Sequence, residues 1–144
     1  MEFRGVEWVE QTKVPEELIQ EIEQMLDIDF LNLKGNLNQV IHDSSQVLKT
    51  IYELTVAVNE AEVQVKETSM IAIKFYNFES KRKLTATQVT QALKNDKDIA
   101  DEEFKLKVLK AQLEYFEGIY HELKQKSRNI KTIIEWEIFT QGNR

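Results

Sequence analysis

The chain has 144 residues, of which 42% are hydrophobic and 31% charged, and it carries a formal net charge of −6. This apolar share excludes a globally disordered chain, and the length is that of one ordinary domain. Because the sequence contains no cysteine, a disulfide framework, a thiolate metal site and a cysteine nucleophile are excluded. Acidic residues stand where a signal peptide needs an apolar run, and no 18-residue apolar stretch occurs. We therefore expect a soluble protein of the cytoplasm.

Negative charge is concentrated in the first 30 residues, which contain nine acidic residues and two basic ones. The remaining 114 residues are nearly balanced, with 17 bases and 16 acids. Proline suits the first position of a helix, so we predict a short helix that begins at Pro15. Its inner face is predicted to consist of Leu18, Ile22 and Met25. We divide the chain into an acidic N-terminal segment with this short helix, residues 1–30, and a helical domain, residues 31–144.

The scarcity of glycine and proline predicts an all-α fold. Between Gly35 and Gly118 lie 82 residues with neither turn-former, whereas a β-sandwich or barrel needs turn signals every 8–12 residues or so. Steps of four and three from Leu33 to Phe75 meet apolar residues at eleven of thirteen positions, which predicts one long helix. Valines at positions 56, 58, 63 and 65 alternate as in a strand hairpin, which remains the alternative. The intervening residues lack the glycine of a tight turn, which favours the helix.

A second long helix is predicted to begin after Thr85 or Thr87, because either side chain can cap a first turn. We predict a break at residues 127–129 and a short final helix from Ile130 to about Phe139. The later part of the second helix carries an a/d heptad seam, and the final helix places further apolar residues beside one another. We expect long helices in a hairpin or bundle that assembles into a homo-oligomer through these C-terminal residues: Leu106, Leu109, Leu113, Phe116, Tyr120, Leu123, Ile130, Ile134 and Trp136.

Basic and aromatic residues are interleaved between positions 74 and 83. Cations attract phosphates, and exposed rings stack on bases, so this composition is typical of single-stranded nucleic-acid binding. The candidate binding residues are Lys74, Phe75, Tyr76, Phe78, Lys81, Arg82 and Lys83. In the alternative interpretation, Phe75 and Phe78 pack inward and the bases form a solvated loop. A second basic region follows at residues 104–134.

Sequence patterns of catalysis are missing. His42 and His121 are far apart, and neither lies in a His-Glu-x-x-His motif or follows a glutamate by three residues. The chain has neither a phosphate-binding glycine loop nor a Gly-x-Ser-x-Gly elbow. We predict a protein that is not an enzyme and that uses no cofactor and no metal.

Two segments near the end of the chain resemble a known family. LKNDKDI, residues 93–99, opens a helix, and IKTIIEWEIFTQG, residues 130–142, closes the chain. These motifs are similar to those of the UvsY family of phage recombination mediators. The segment KFYNFESK, residues 74–81, lies where that family carries the basic-aromatic segment to which its single-stranded DNA contact is ascribed.

The resemblance implies a ring-like homo-oligomer that binds single-stranded DNA and performs no chemistry. It implies that the protein helps a RecA-like recombinase to displace a single-strand-binding protein, and that it acts in the host cytoplasm if phage-encoded. It also implies that the C-terminal helices drive assembly. The alternative is a helical scaffolding protein that self-associates and docks protein partners through its acidic segment.

Overall fold

The computed structural model of the chain describes residues 16–79 and 83–142, and Pro15, Lys81 and Arg82 lie outside these ranges. All regular elements in the described ranges are helices, which confirms the predicted all-α class. The elements, in chain order, are α1 (Glu16–Leu26), α2 (Leu33–Lys74), a π-helical turn (Phe75–Glu79), α3 (Ala86–Lys94) and α4 (Lys97–Gly142).

Helix α2 is one continuous helix of 42 residues, so the predicted long helix is confirmed and the strand hairpin is wrong. Its N-terminus is capped by Asn32, whose side-chain oxygen accepts a hydrogen bond of 3.1 Å from the Gly35 backbone N–H. A Cβ at Gly35 would collide with the Asn32 carboxamide. Glycine at this position therefore lets the capping side chain approach the first turn.

Helices α2 and α4 pack antiparallel and form the core along their length. The central cluster joins Val47 and Leu54 of α2 to Phe116 and Leu123 of α4, and all four side chains are completely buried. Helix α1 covers one side of this cluster with its predicted inner face, which is confirmed: Leu18, Ile22 and Met25. Each fully buried large side chain contributes roughly 1.5–3 kcal/mol, so this cluster supplies much of the stability.

The structure corrects two predicted boundaries in the C-terminal half. The predicted break at residues 127–129 is wrong, because α4 continues through it to Gly142. Lys126 and Ile130 are buried on either side of that segment, and Gln125 donates a hydrogen bond of 3.1 Å to Asn129 along the helix. Tertiary burial therefore holds the helix where the local sequence predicts a break.

The helix predicted to follow Thr85 is shorter than expected. Thr85 caps α3 with a capping box, in which its hydroxyl accepts from the Gln88 N–H and the Gln88 side chain accepts from the Thr85 N–H. Helix α3 ends at Lys94, and Asp96 then caps α4.

A membrane-spanning segment needs a long, strongly apolar helix, and none of the described helices meets that requirement.

Candidate nucleic-acid interface

The predicted basic-aromatic segment lies at the end of the hairpin where α2 stops. Lys74 is the last residue of α2, and Phe75 to Glu79 form the π-helical turn. Such turns are rare and frequently occur at functional sites. The chain then reaches Lys83, which is exposed just before α3. The structure therefore brings the described candidate residues to one end of the molecule.

Both phenylalanines of the π-helical turn are accessible to solvent. Phe78 is 82% exposed and Phe75 is 47% exposed, and Lys74 beside them is also exposed. The interpretation in which these rings pack inward is therefore wrong. An aromatic face that is open to solvent is available for stacking on a base, and a neighbouring ammonium group is available for a phosphate.

Tyr76 is held differently from its two aromatic neighbours. Its ring is half-buried, and its hydroxyl donates a hydrogen bond of 2.9 Å to Oδ2 of Asp96, twenty residues further along the chain. The ring also meets Phe75 edge to face, with 5.3 Å between centroids. The hydrogen bond to the Asp96 carboxylate is the main reason that the pKa of the Tyr76 phenol is raised. Tyr76 thus anchors the turn to the beginning of α4.

Asp96 completes this anchor and starts α4. Its Oδ1 atom accepts a hydrogen bond of 3.1 Å from the Ile99 backbone N–H, the arrangement of an N-cap. The pKa of Asp96 is lowered, first by this bond from Ile99 and second by the bond from Tyr76. The sequence motif of residues 93–99 does not reveal the bond to Tyr76, because that bond depends on the tertiary arrangement.

A groove of about 880 Å³ lies between the π-helical turn and the first turns of α4. Apolar side chains such as Ile71 and Phe104 line part of it. Its charged lining consists of one basic residue, Lys105, and five acidic ones: Glu79, Asp96, Asp98, Asp101 and Glu102. Phosphates are repelled by a surface of this charge. A strand bound at Lys74 and Phe78 would therefore keep its phosphates outside the groove, whose lining also includes Phe75.

In the second basic region, residues 104–134, several lysine side chains already contact other groups of the protein. Lys126 is only 7% exposed and donates a hydrogen bond to the Met25 carbonyl oxygen. Lys110 lies 3.5 Å from the Glu62 carboxylate, and Lys124 lies 4.6 Å from the centroid of the Tyr120 ring. The π-helical turn therefore remains the better candidate for contact with nucleic acid.

Comparison with known proteins identifies the family. A family model described as "Recombination, repair and ssDNA binding protein UvsY" matches residues 21–143. The chain belongs to the UvsY family. The family predicted from the two C-terminal motifs is thereby confirmed. No curated protein matches the chain.

Solved structures share the fold of this UvsY-family chain. One crystal form of the bacteriophage T4 recombination mediator protein UvsY, lattice type IV, is 20% identical, with a TM-score of 0.75 over 87% of this chain and 97% of that one. A second form, lattice type II, is 18% identical, with a TM-score of 0.77 over 90% and 98% of the two chains. At this identity the likeness establishes the fold.

Most of the residues predicted for assembly pack within the hairpin of this UvsY-family member. Leu109, Phe116, Leu123 and Ile130 are buried, and Ile134 packs against the cluster around Leu33. Three more are partly buried against the core: Leu106, Leu113 and Tyr120. Their role in assembly stays a prediction, and it now requires that one side chain serve both the core and a neighbour.

The exposed end of α4 is the part of the predicted assembly surface that remains open. Trp136 is 64% exposed and lies against Phe139, with 5.9 Å between ring centroids. Ile138 and Phe139 are also exposed, although the heptad seam does not predict them as contact residues. Exposed apolar side chains on successive turns are the signal that identifies them.

The family description names recombination, repair and DNA binding rather than a reaction. Within residues 16–79 and 83–142, no group of three or more histidine, aspartate or glutamate side chains is arranged to hold a metal ion. That the chain is not an enzyme remains a prediction from its sequence.

Proposed function

We propose that this chain is a recombination mediator that binds single-stranded DNA as a homo-oligomer and loads a RecA-like recombinase onto it. In this role it displaces a single-strand-binding protein, in the host cytoplasm if the chain is phage-encoded. One observation carries the proposal: in a UvsY-family chain, Phe75 and Phe78 are exposed beside Lys74 on a π-helical turn. This is the segment that the sequence predicts for DNA contact.

The binding energy has two parts at this surface. Lys74 and Lys83, with Lys81 and Arg82 between them, neutralise phosphates and release condensed counterions, which requires no particular base sequence. Phe75 and Phe78 stack on unpaired bases, and each stack contributes about 1–3 kcal/mol. The half-buried Tyr76 positions the turn through Asp96 rather than stacking freely.

Assembly makes this modest surface effective. Each subunit carries few cations at the turn and an overall charge of −6. When several subunits contact one strand, every contact after the first is intramolecular, and the effective concentration raises the overall affinity.

The two parts of the chain have different proposed roles. The acidic segment, residues 1–30, docks protein partners, and residues 31–144 carry DNA binding and assembly.

Fluorescence anisotropy with a labelled oligonucleotide tests the interface. The double variant Phe75→Ala/Phe78→Ala should bind at least tenfold more weakly than the unchanged protein, about 1.4 kcal/mol, because two stacking faces are lost. Phe30→Ala is the control, since Phe30 is 67% exposed and lies in the turn between α1 and α2 instead. Equal affinity of the double variant and the control would remove the site from the proposal.

A salt series separates the cationic part of the interface. Lys74→Ala/Lys83→Ala should reduce the slope of log affinity against log salt by about one to two, because one counterion is lost per phosphate contact. The control is Lys34→Ala/Lys107→Ala, which removes two exposed lysines elsewhere. A slope unchanged in the first variant would contradict a phosphate contact at these lysines.

The scaffolding alternative is favoured by the acidic groove and the acidic segment. It predicts an oligomer with no affinity for DNA at low salt and no effect on a recombinase. Strand exchange by a RecA-like recombinase on DNA covered with single-strand-binding protein distinguishes the two functions. A mediator accelerates this exchange, whereas a scaffold leaves its rate unchanged.

A further inference from the structure

The groove between the π-helical turn and the first turns of α4 is lined by apolar side chains that are open to solvent. On one side Ile71 is 71% exposed and Phe75 is 47% exposed, four residues apart and therefore on one helical face. On the α4 side, Phe104 is 56% exposed. Ala72 also lines the groove, and its small, buried side chain occupies little of the space. The volume of about 880 Å³ is that of a site which buries a ligand.

Acidic side chains stand along the α4 side of this groove. Asp101 follows Asp98 by three residues and Glu102 follows it by four, so the three carboxylates share one face of the helix. The ion pair found in the described part of the chain lies elsewhere, so these three carboxylates form no ion pair with a described residue. Lys105 offsets only one of the five negative charges in the lining. The groove therefore combines an apolar surface with excess negative charge.

This combination selects the chemistry of the occupant. Nucleic acid and anionic lipid headgroups are repelled by five acids against one base. Lysine and arginine side chains suit the groove, because their aliphatic stems pack on apolar surface while their charged ends reach a carboxylate. A cation also interacts favourably with the face of an exposed ring such as Phe104. The groove thus fits a polypeptide segment that is both basic and apolar.

We propose that this groove docks a basic amphipathic segment of a partner protein, whose apolar side chains contact Ile71, Phe75 and Phe104. The lysine and arginine side chains of the segment then contact the acids of α4. An amphipathic helix in an apolar groove is a recurring mode of peptide recognition, and complementary charge selects the partner. The proposal goes beyond the proposed function and does not rest on it, because Phe78 lies outside the groove lining.

Fluorescence anisotropy with a labelled synthetic peptide tests the docking. The probe is a peptide of about twelve residues with lysine on one helical face and leucine on the other. In one control peptide glutamate replaces every lysine, and in another serine replaces every leucine. The probe should bind, the glutamate peptide should not, and the serine peptide should bind about tenfold more weakly because its apolar contacts are lost. Equal affinities of the probe and the serine peptide would overturn the proposal, since charge alone would then explain binding.

Charge variants locate the probe on the protein. Asp101→Asn/Glu102→Gln removes two charges from the groove and should weaken probe binding about fivefold, with a smaller effect at high salt. Glu117→Gln/Glu135→Gln is the matched control, because it changes the net charge equally at exposed positions of α4 outside the groove. Circular dichroism verifies that both variants keep their helix content. Equal affinities of the two variants for the probe would show that the peptide does not bind in the groove.

Ring variants separate this proposal from the proposed DNA contact. Phe104→Ala should weaken probe binding about tenfold and leave oligonucleotide binding unchanged, whereas Phe78→Ala should weaken only oligonucleotide binding. If Phe104→Ala binds the probe as tightly as the unchanged protein does, the docking proposal fails, whatever the oligonucleotide result. If Phe78→Ala leaves oligonucleotide binding unchanged, the DNA contact fails and the docking proposal is unaffected.

Sedimentation without peptide checks whether a second copy of the chain occupies the groove instead. Asp101→Asn/Glu102→Gln should have the same assembly mass as the unchanged protein, because the proposed occupant is another protein. A changed mass would show that the groove is already covered within the assembly, and it would overturn the proposal.

Discussion

Lys126 illustrates how one buried side chain joins elements that are distant in sequence. Its ammonium group donates to the carbonyl oxygen of Met25, in the last turn of α1 and 101 residues away. Carbonyl groups in the last turn of a helix lack intrahelical donors, so this bond satisfies one of them. Burial lowers the pKa of Lys126, and the carboxylates of Asp43 and Asp27 act in the opposite direction. The lysine thus fastens α1 to α4.

Removal of this bond should destabilise the fold. Lys126→Met keeps the aliphatic stem but leaves the Met25 carbonyl without its donor, so we expect a loss of about 1–3 kcal/mol in the free energy of unfolding. Urea denaturation followed by circular dichroism measures the change. The control is Lys131→Met, an exposed lysine further along α4, where we expect less than about 0.5 kcal/mol. A loss of the same size in both variants would contradict the role of the bond.

Asp96 makes the stability of the hairpin end depend on pH. Its pKa is lower in the folded protein than in the unfolded chain, chiefly because the Ile99 N–H bonds to the carboxylate. The unfolded chain therefore takes up the proton first as pH falls, and the stabilisation is present above the unfolded pKa and lost as pH falls through the folded one. Asp96→Asn should flatten this acid decline in urea midpoint. An equal acid decline in Asp96→Asn and in the unchanged protein would contradict this role of Asp96.

At the scale of the elements, α2 and α4 are long helices on which some apolar side chains are buried in the core and others are exposed to solvent. The a/d seam of α4 is typical of an assembly surface, yet Phe116 within it is completely buried between α2 and α4. On α2, by contrast, large apolar side chains such as Ile41, Tyr52 and Val63 stay open to solvent. Periodicity reveals that a helix has an apolar face, but it does not reveal which neighbour covers that face.

Substitution in the buried seam should therefore act on folding before it acts on assembly. Phe116→Ala removes a ring that is 0% exposed, and we expect a loss of about 3–5 kcal/mol in the free energy of unfolding because a cavity is created. Thermal or urea unfolding at low protein concentration measures it. Tyr115→Ala, at a neighbouring and partly exposed ring, should cost clearly less. If Phe116→Ala dissociates the oligomer at unchanged monomer stability, the seam serves assembly instead of the core.

At the scale of the whole molecule, the positions of the charged side chains matter more for DNA binding than the net charge does. The exposed rings lie on the π-helical turn and Lys74 directly precedes it, beside a groove with five acidic side chains. If a strand binds there as proposed, these acids would direct it away from α4 and lower the affinity of the surface for phosphate. The low pI of about 5.1 is thus compatible with a local DNA-binding surface.

Neutralisation of the groove should strengthen DNA binding. Asp98→Asn/Asp101→Asn/Glu102→Gln removes three negative charges near the turn, and we expect a several-fold rise in affinity for an oligonucleotide at low salt. The rise should shrink as salt is added, because exposed charges are screened. Glu16→Gln/Glu17→Gln/Glu21→Gln makes the same change in net charge on α1 and should have a smaller effect. Equal rises in the two variants would show that only net charge matters.

The amino-acid sequence by itself determined the helical class, the extent of α2, the inner face of α1 and the family. These properties depend on local signals, namely the lack of turn-formers, the spacing of apolar residues and short motifs. Tertiary structure decided which faces are buried, that α4 continues past residue 129, and that Tyr76 bonds to Asp96. The physical reason is that burial and long-range hydrogen bonds depend on the neighbour that packs against a helix, and a helix with two apolar faces carries the same local pattern on both.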